Sequence, residues 1–251
     1  MANSFLDKLK IKWSEGKFVC IGLDSPDFKF NQSIIDATID LVCAYKPNSA
    51  FYESTGASGL ESLQKTIKYI NQKDPGIPVI LDAKRGDIGN TNKEYVKAIF
   101  DNLGADAVTV NPYLGKESLQ PFLDRADKGI FILVKTSNEG AGEFQDLEVE
   151  GQPLYQVVSK HVKNWGSNVA VVVGATFPEE LKKVREIIGD EIVILIPGVG
   201  AQGGDLENSV KAAINTQGAG FIISSSRGII FADNPKETTL NLNQQILEAL
   251  K

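Results

Sequence analysis

The run IPVILDAKRGDIGNT, residues 77–91, decides how this chain is read. It opens as an unbroken apolar stretch and then sets down Asp82, Lys84, Arg85 and Asp87 in quick succession. A strand covered on both faces reads as a continuous apolar run, as in a parallel sheet flanked by helices, whereas a half-exposed strand alternates. Side chains two apart on a strand share a face, so Asp82 and Lys84 are expected side by side at its carboxyl end. Gly86 and Gly89 flank Asp87 in a turn, which frees that carboxylate from the strand.

Seven further runs have the same form. They are FVCIGLD (18–24), CAYKPN (43–48), ADAVTVN (105–111), GIFILVK (129–135), NVAVVVG (168–174), EIVILIP (191–197) and AGFIISS (219–225). Helical spacing fills the intervals at 33–41, 59–71, 91–102, 117–127, 153–165, 178–188, 205–216 and 235–250. Pro178, followed by two acids, is a clear start signal, because proline is pre-set for the first helical turn and the helix dipole favours negative charge there. Strand then helix, eight times in 251 residues, predicts an α/β fold. The expected form is a single (β/α)8 TIM barrel domain over residues 1–251, preceded by a short N-terminal helix. The alternative is an open doubly wound sheet, but no G-x-G-x-x-G follows the first strand, and polar residues close many strands instead of gathering at one switch point. The longest irregular segment, SNEGAGEFQDLEVEG (137–151), is expected to be an active-site loop.

Composition narrows the function classes. A net charge of −6, from 26 basic and 32 acidic residues, argues against a general binder of nucleic acid or acidic membranes and leaves room for a local anion pocket. Cys20 and Cys43 both lie in apolar runs and read as buried, reduced thiols. No ladder of metal ligands is evident. The N-terminal stretch MANSFLDKLKIKW is broken by charges, so neither a signal peptide nor a membrane span is expected, and the cytoplasm is the expected location.

Catalytic residues of such barrels cluster at the carboxyl ends of the strands. Here those ends carry Asp24, Lys46 with Asn48, Asp82 with Lys84, Asn111, Lys135 with Thr136 and Ser137, and Ser224 to Arg227. Lys46, one strand over, is placed to reach Asp82, giving an alternating array of Lys46, Asp82, Lys84 and Asp87. The opposite side reads as a phosphate cradle. PGVGAQGGD (197–205) lets backbone N–H groups approach an anion ahead of a helix N-terminus, and SSSRG (224–228) adds the donor fork of Arg227. His161, Trp13 and Trp165 read as packing residues on helices.

Taken together, GLD (22–24), YKPNSAFYE (45–53), LDAKRGDIGNT (81–91), TVNPYLG (109–115), KTSN (135–138), PGVGAQGG (197–204) and SSRGI (225–229) make the chain similar to the orotidine 5'-phosphate decarboxylase family, in particular its longer bacterial subgroup. The resemblance covers nearly the whole chain. It implies cofactor-free, metal-free decarboxylation of orotidine 5'-phosphate to uridine 5'-phosphate (UMP), the last step of de novo pyrimidine synthesis. It also implies a homodimer with shared active sites, and no nucleic-acid or membrane partner. On this resemblance Asp24 and Lys46 hold the ribose hydroxyls, Asp82, Lys84 and Asp87 form the charged core, and Lys84 protonates pyrimidine C6. Asp87, Ile88 and Thr91 reach the neighbouring subunit's site, Ser137 hydrogen-bonds the pyrimidine, Pro197 lies beside the ring, and Gln202 and Arg227 hold the phosphate.

Two other readings compete. Sugar-phosphate decarboxylases and aldolases on the same barrel share D-x-K-x-x-D but use Mg²⁺, with a glutamate at the end of the second strand; here Lys46 stands there and would repel the ion. A catalytically silent phosphate-binding barrel would keep the cradle and lose the Lys/Asp array, and this sequence has both.

Overall fold

The computed structural model describes residues 4–199 and 204–251. Its parallel sheet is built from eight strands: β1 (Val19–Leu23), β2 (Ala44–Pro47), β3 (Ile80–Arg85), β4 (Ala107–Val110), β5 (Gly129–Lys135), β6 (Val169–Val173), β7 (Val193–Pro197) and β8 (Phe221–Ser225). Seven fall inside the expected strand runs, and β3 extends one residue past its expected strand IPVILDAK (77–84), to Arg85. The sheet order is β2-β1-β8-β7-β6-β5-β4-β3, and parallel bridges Tyr45–Val79 and Asn48–Asp82 join its two edges, closing the barrel. Helices Phe28–Thr38, Ala57–Lys73, Gly89–Val96, Gly115–Leu123, Leu154–Val162, Pro178–Ile188, Leu206–Ala213 and Pro235–Ala249 follow the strands in turn.

The continuous apolar runs are explained by two cores. Val19, Ile21, Tyr45, Leu81, Val108, Ile130 and Val171 point outward beneath the helices. Cys20, Ala44, Ile80, Ala107, Phe131, Ala170, Val193 and Ile222 point inward and fill the barrel. The N-terminal helix α1 (Phe5–Ser14) belongs to this inner core, because Phe5 and Leu9 plug the barrel floor. Phe5 meets Phe131 edge-on at 5.5 Å, and a side chain at Gly129 would come within 2.5 Å of the Phe5 ring. Ser4 and Asp7 form a reciprocal capping box that fixes where α1 starts, and Lys8 ties it to Asp106 at 2.7 Å.

Both cysteines are free and buried inside the barrel, and burial pushes the Cys20 thiol up to about 12, so neither is a poised nucleophile. Arg185 is buried on helix Pro178–Ile188 and donates to the carbonyls of Ala213, Gly189, Ile192 and Gly220, stitching three segments of the amino-terminal side together. None of the helices among the described residues is long and apolar enough to cross a membrane. His161 is exposed on its outer helix, far from the strand ends that matter below.

Candidate active site

The carboxyl ends of the strands surround a cavity of about 450 Å³ whose wall includes Asp24, Lys46, Asp82, Lys84, Ser137, Pro197 and Arg227. Seven of the eleven residues singled out in the sequence therefore meet in one place. Gln202 lies outside the described residues.

Asp82 is the hub of one wall. Lys84 Nζ donates to its Oδ1 at 2.7 Å, Thr109 Oγ1 donates to the same oxygen at 2.8 Å, and Lys46 Nζ donates to Oδ2 at 3.1 Å. Burial by itself would raise the Asp82 carboxyl pKa, but the charges of Lys46 and Lys84 and the bonds from Lys84 and Thr109 hold it well below the usual carboxylate range. Burial would likewise lower the Lys46 ammonium, yet the Asp82 carboxylate more than offsets this and the net shift is upward. Both groups are thus locked in their charged forms. Lys84, by contrast, has a half-exposed side chain and turns its ammonium into the open cavity.

Asp82 and Lys84 converge, but not through a regular pleat. Leu81 pairs with Val108 and Arg85 with Val110, so β3 carries two more residues than β4 over the same span, and Lys84 takes the left-handed φ of 46°. Arg85 leaves the cavity, pairs with Glu53 and lies 4.8 Å from the Tyr95 ring centre. Gly86 then passes so close to β4 that an added Cβ would sit 2.6 Å from the Asn111 carbonyl oxygen.

Asp87, Ile88 and Thr91 do not line the cavity of their own chain. Asp87 Oδ1 accepts its neighbour's Ile88 N–H at 2.6 Å, and Asn92 holds the Asp87 backbone from both sides. Of the four residues of the expected array, Lys46, Asp82 and Lys84 are joined within the chain, and Asp87 lies past the Gly86 turn, outside that cavity. Ile88 is 61% exposed and borders a shallow outer depression with Gly89, Lys93 and Glu117.

On the other wall, Ser226 Oγ donates its one proton to the Asp24 carboxylate and also lies 3.2 Å from the Gly22 carbonyl; any side chain at Gly22 would collide with Ser226. The second Asp24 oxygen is buried without a hydrogen-bond partner among the described residues, an arrangement that suits a ligand hydroxyl. Ser224 to Arg227 and Pro197 to Val199 complete this side. After β7, Asp205 caps the following helix, accepting from Asn208 N at 3.1 Å, and residues 200–203 of the Gly-rich stretch ahead of it lie outside the described residues. The short helix that meets the cavity is Arg227–Ile230, after β8, and Arg227 opens it.

The segment after β5 bears on the cavity only through Thr136, Ser137 and Asn138. Beyond them it folds into a turn, a four-residue helix (Gly142–Gln145) and a small hairpin of Glu148–Val149 with Gln152–Pro153. Gln145 accepts from Thr136 N at 2.9 Å and donates to Thr136 Oγ1 at 2.8 Å, while the fully buried Lys135 pairs with Asp146 and lies 4.7 Å from the Phe177 ring centre. Gln145, Asp146 and Thr109 were missed as site-supporting residues. Gln145 and Thr109 each make two hydrogen bonds and Asp146 one ion pair, to partners 9 to 27 residues away, which leaves no local pattern in the chain.

A closed parallel barrel with lysines and carboxylates gathered at its strand ends places the chain among the (β/α)8-barrel enzymes. The orotidine 5'-phosphate decarboxylase / HUMPS family matches residues 17–241. An orotidine 5'-phosphate decarboxylase of Cellvibrio japonicus is 47% identical, over 97% of this chain and 98% of its own. The solved structure of Leishmania donovani OMP decarboxylase superposes with a TM-score of 0.92 at 37% identity, covering 98% of this chain and 99% of that one. Leishmania donovani UMP synthase matches 99% of this chain with a TM-score of 0.94 at 38% identity, and the chain spans 57% of that longer protein. This chain belongs to the orotidine 5'-phosphate decarboxylase / HUMPS family.

Proposed function

We propose that the chain decarboxylates orotidine 5'-phosphate to UMP. The observation that carries this reading is the Lys46–Asp82–Lys84 array, whose half-exposed Lys84 ammonium faces the cavity. Loss of carbon dioxide breaks the bond to C6 and leaves its electron pair on that carbon. Lys84 is placed to stabilise that charge as it develops and then to donate a proton to C6. Because Asp82 and Lys46 are fixed by burial and pairing, the array needs little reorganisation as charge moves. The phosphate, gripped by Arg227 with Gln202 as a second ligand, supplies binding energy remote from the reacting carbon. Asp24 and Lys46 then hold the ribose, Ser137 the pyrimidine and Pro197 its edge. The reading routes no step through a metal or cofactor, and a cation at Lys46 disfavours Mg²⁺ there.

We further propose a homodimer with shared sites, supported by the exposure of Asp87 and Ile88 outside their own cavity, and by the exposed Tyr113. A small-molecule enzyme with buried thiols suits the cytoplasm, and its net negative charge disfavours nucleic acid and acidic membranes. The test is the loss of orotidine 5'-phosphate absorbance in a buffer containing a chelator. Metal-independent turnover is expected; binding without turnover would instead favour the silent barrel.

A further inference from the structure

Opposite the irregular part of β3 stands Thr109, 2% exposed, in β4. Where β3 carries its two extra residues, the regular ladder is interrupted, and the Lys84 backbone N–H finds a side chain instead of a carbonyl. It donates to Thr109 Oγ1 at 3.0 Å. The same hydroxyl spends its only proton on Asp82 Oδ1, at 2.8 Å. A hydroxyl has one hydrogen and two lone pairs, so the bond to Asp82 leaves a lone pair for Lys84, and the two bonds fix each other's direction. Among the described residues, Lys84 and Glu150 are the non-glycine residues with positive φ, and a lysine holds that conformation only where its surroundings impose it.

We infer that Thr109 is a positioning residue for the reaction: its hydroxyl couples the Asp82 carboxylate to the Lys84 backbone and so aims the Lys84 ammonium at the reacting carbon. This rests on the decarboxylase reading. Without the hydroxyl, the Lys84 N–H loses its partner, Asp82 loses a donor, and β3 is free to relax toward a regular pleat that would carry the ammonium away.

The experiment compares wild type, Thr109→Val, which keeps the shape, and Thr109→Ser, which keeps the hydroxyl. Thr109→Ala serves if the valine variant does not fold. Three quantities are read: kcat on orotidine 5'-phosphate, Kd for UMP, and exchange of the UMP C6 hydrogen in D2O followed by NMR. Losing two buried hydrogen bonds at the reacting end should lower kcat roughly 10- to 100-fold and slow C6 exchange in parallel. UMP affinity should stay within about threefold, because the grip on phosphate and ribose is untouched, and Thr109→Ser should recover kcat to within about threefold of wild type. Wild-type kcat in Thr109→Val overturns the inference. So does a serine variant as slow as the valine one, or UMP affinity that falls in step with kcat, since either marks a packing role. Wild type that never turns over the substrate overturns the decarboxylase reading itself, a result distinct from all of these.

Discussion

Asp82 holds two ammonium groups at once, and its stability follows from that. Its folded carboxyl pKa lies below the unfolded value of about 3.9, so the ionised group contributes in full above that pH, and the contribution is lost as pH falls toward the depressed folded value. Replacing it by asparagine leaves Lys46 buried without a counter-ion, at a cost of about 3–5 kcal/mol. In urea unfolding, the gap between wild type and Asp82→Asn should hold steady from about pH 7 to 5 and narrow below about pH 4. A gap that begins to close near pH 6 would mean that Asp82 is not held in the way described. The neighbouring Lys84 shows a limit of sequence reading at this scale. Strand alternation brought it correctly beside Asp82, but the left-handed φ and the two-residue excess in β3 come from pairing with β4, which residues 77–91 alone do not encode.

Among the elements, α1 has the most unexpected duty. A short N-terminal helix is legible from its spacing, yet only the closed barrel reveals that its apolar side is a floor plug, with Phe5 against Phe131 and Leu9 wholly buried. Phe5→Ala should cost about 3–5 kcal/mol, as for other large-to-small changes in a packed core, while leaving KM little changed because the floor is remote from the strand ends. The check is denaturant unfolding alongside steady-state kinetics; loss of substrate binding with unchanged stability would contradict it. The eight strands themselves were legible because burial on both faces demands near-continuous β-branched runs, such as VAVVV in β6. Loop behaviour was less so. Asp205, the last residue of the expected anion cradle, caps the following helix, and the segment 137–151, expected to be an active-site loop, reaches the cavity only through its first residues.

For the whole molecule, the division of LDAKRGDIGNT is decisive: Asp82 and Lys84 serve the cavity of their own chain, while Gly86 sends Asp87, Ile88 and Thr91 outside it. If those residues complete a neighbour's site, mixing Lys84→Ala with Asp87→Ala subunits should restore roughly a quarter of wild-type activity, since half the dimers are mixed and each mixed dimer holds one intact site. Mixtures as inactive as the separate variants, under conditions where subunits exchange, would contradict a shared site. The role of Lys84 is tested most directly by turnover of orotidine 5'-phosphate by Lys84→Ala, with UMP binding measured on the same preparation. Decarboxylation is expected to be nearly abolished while UMP still binds; substantial decarboxylation without the Lys84 ammonium would rule out its role as the proton donor to C6.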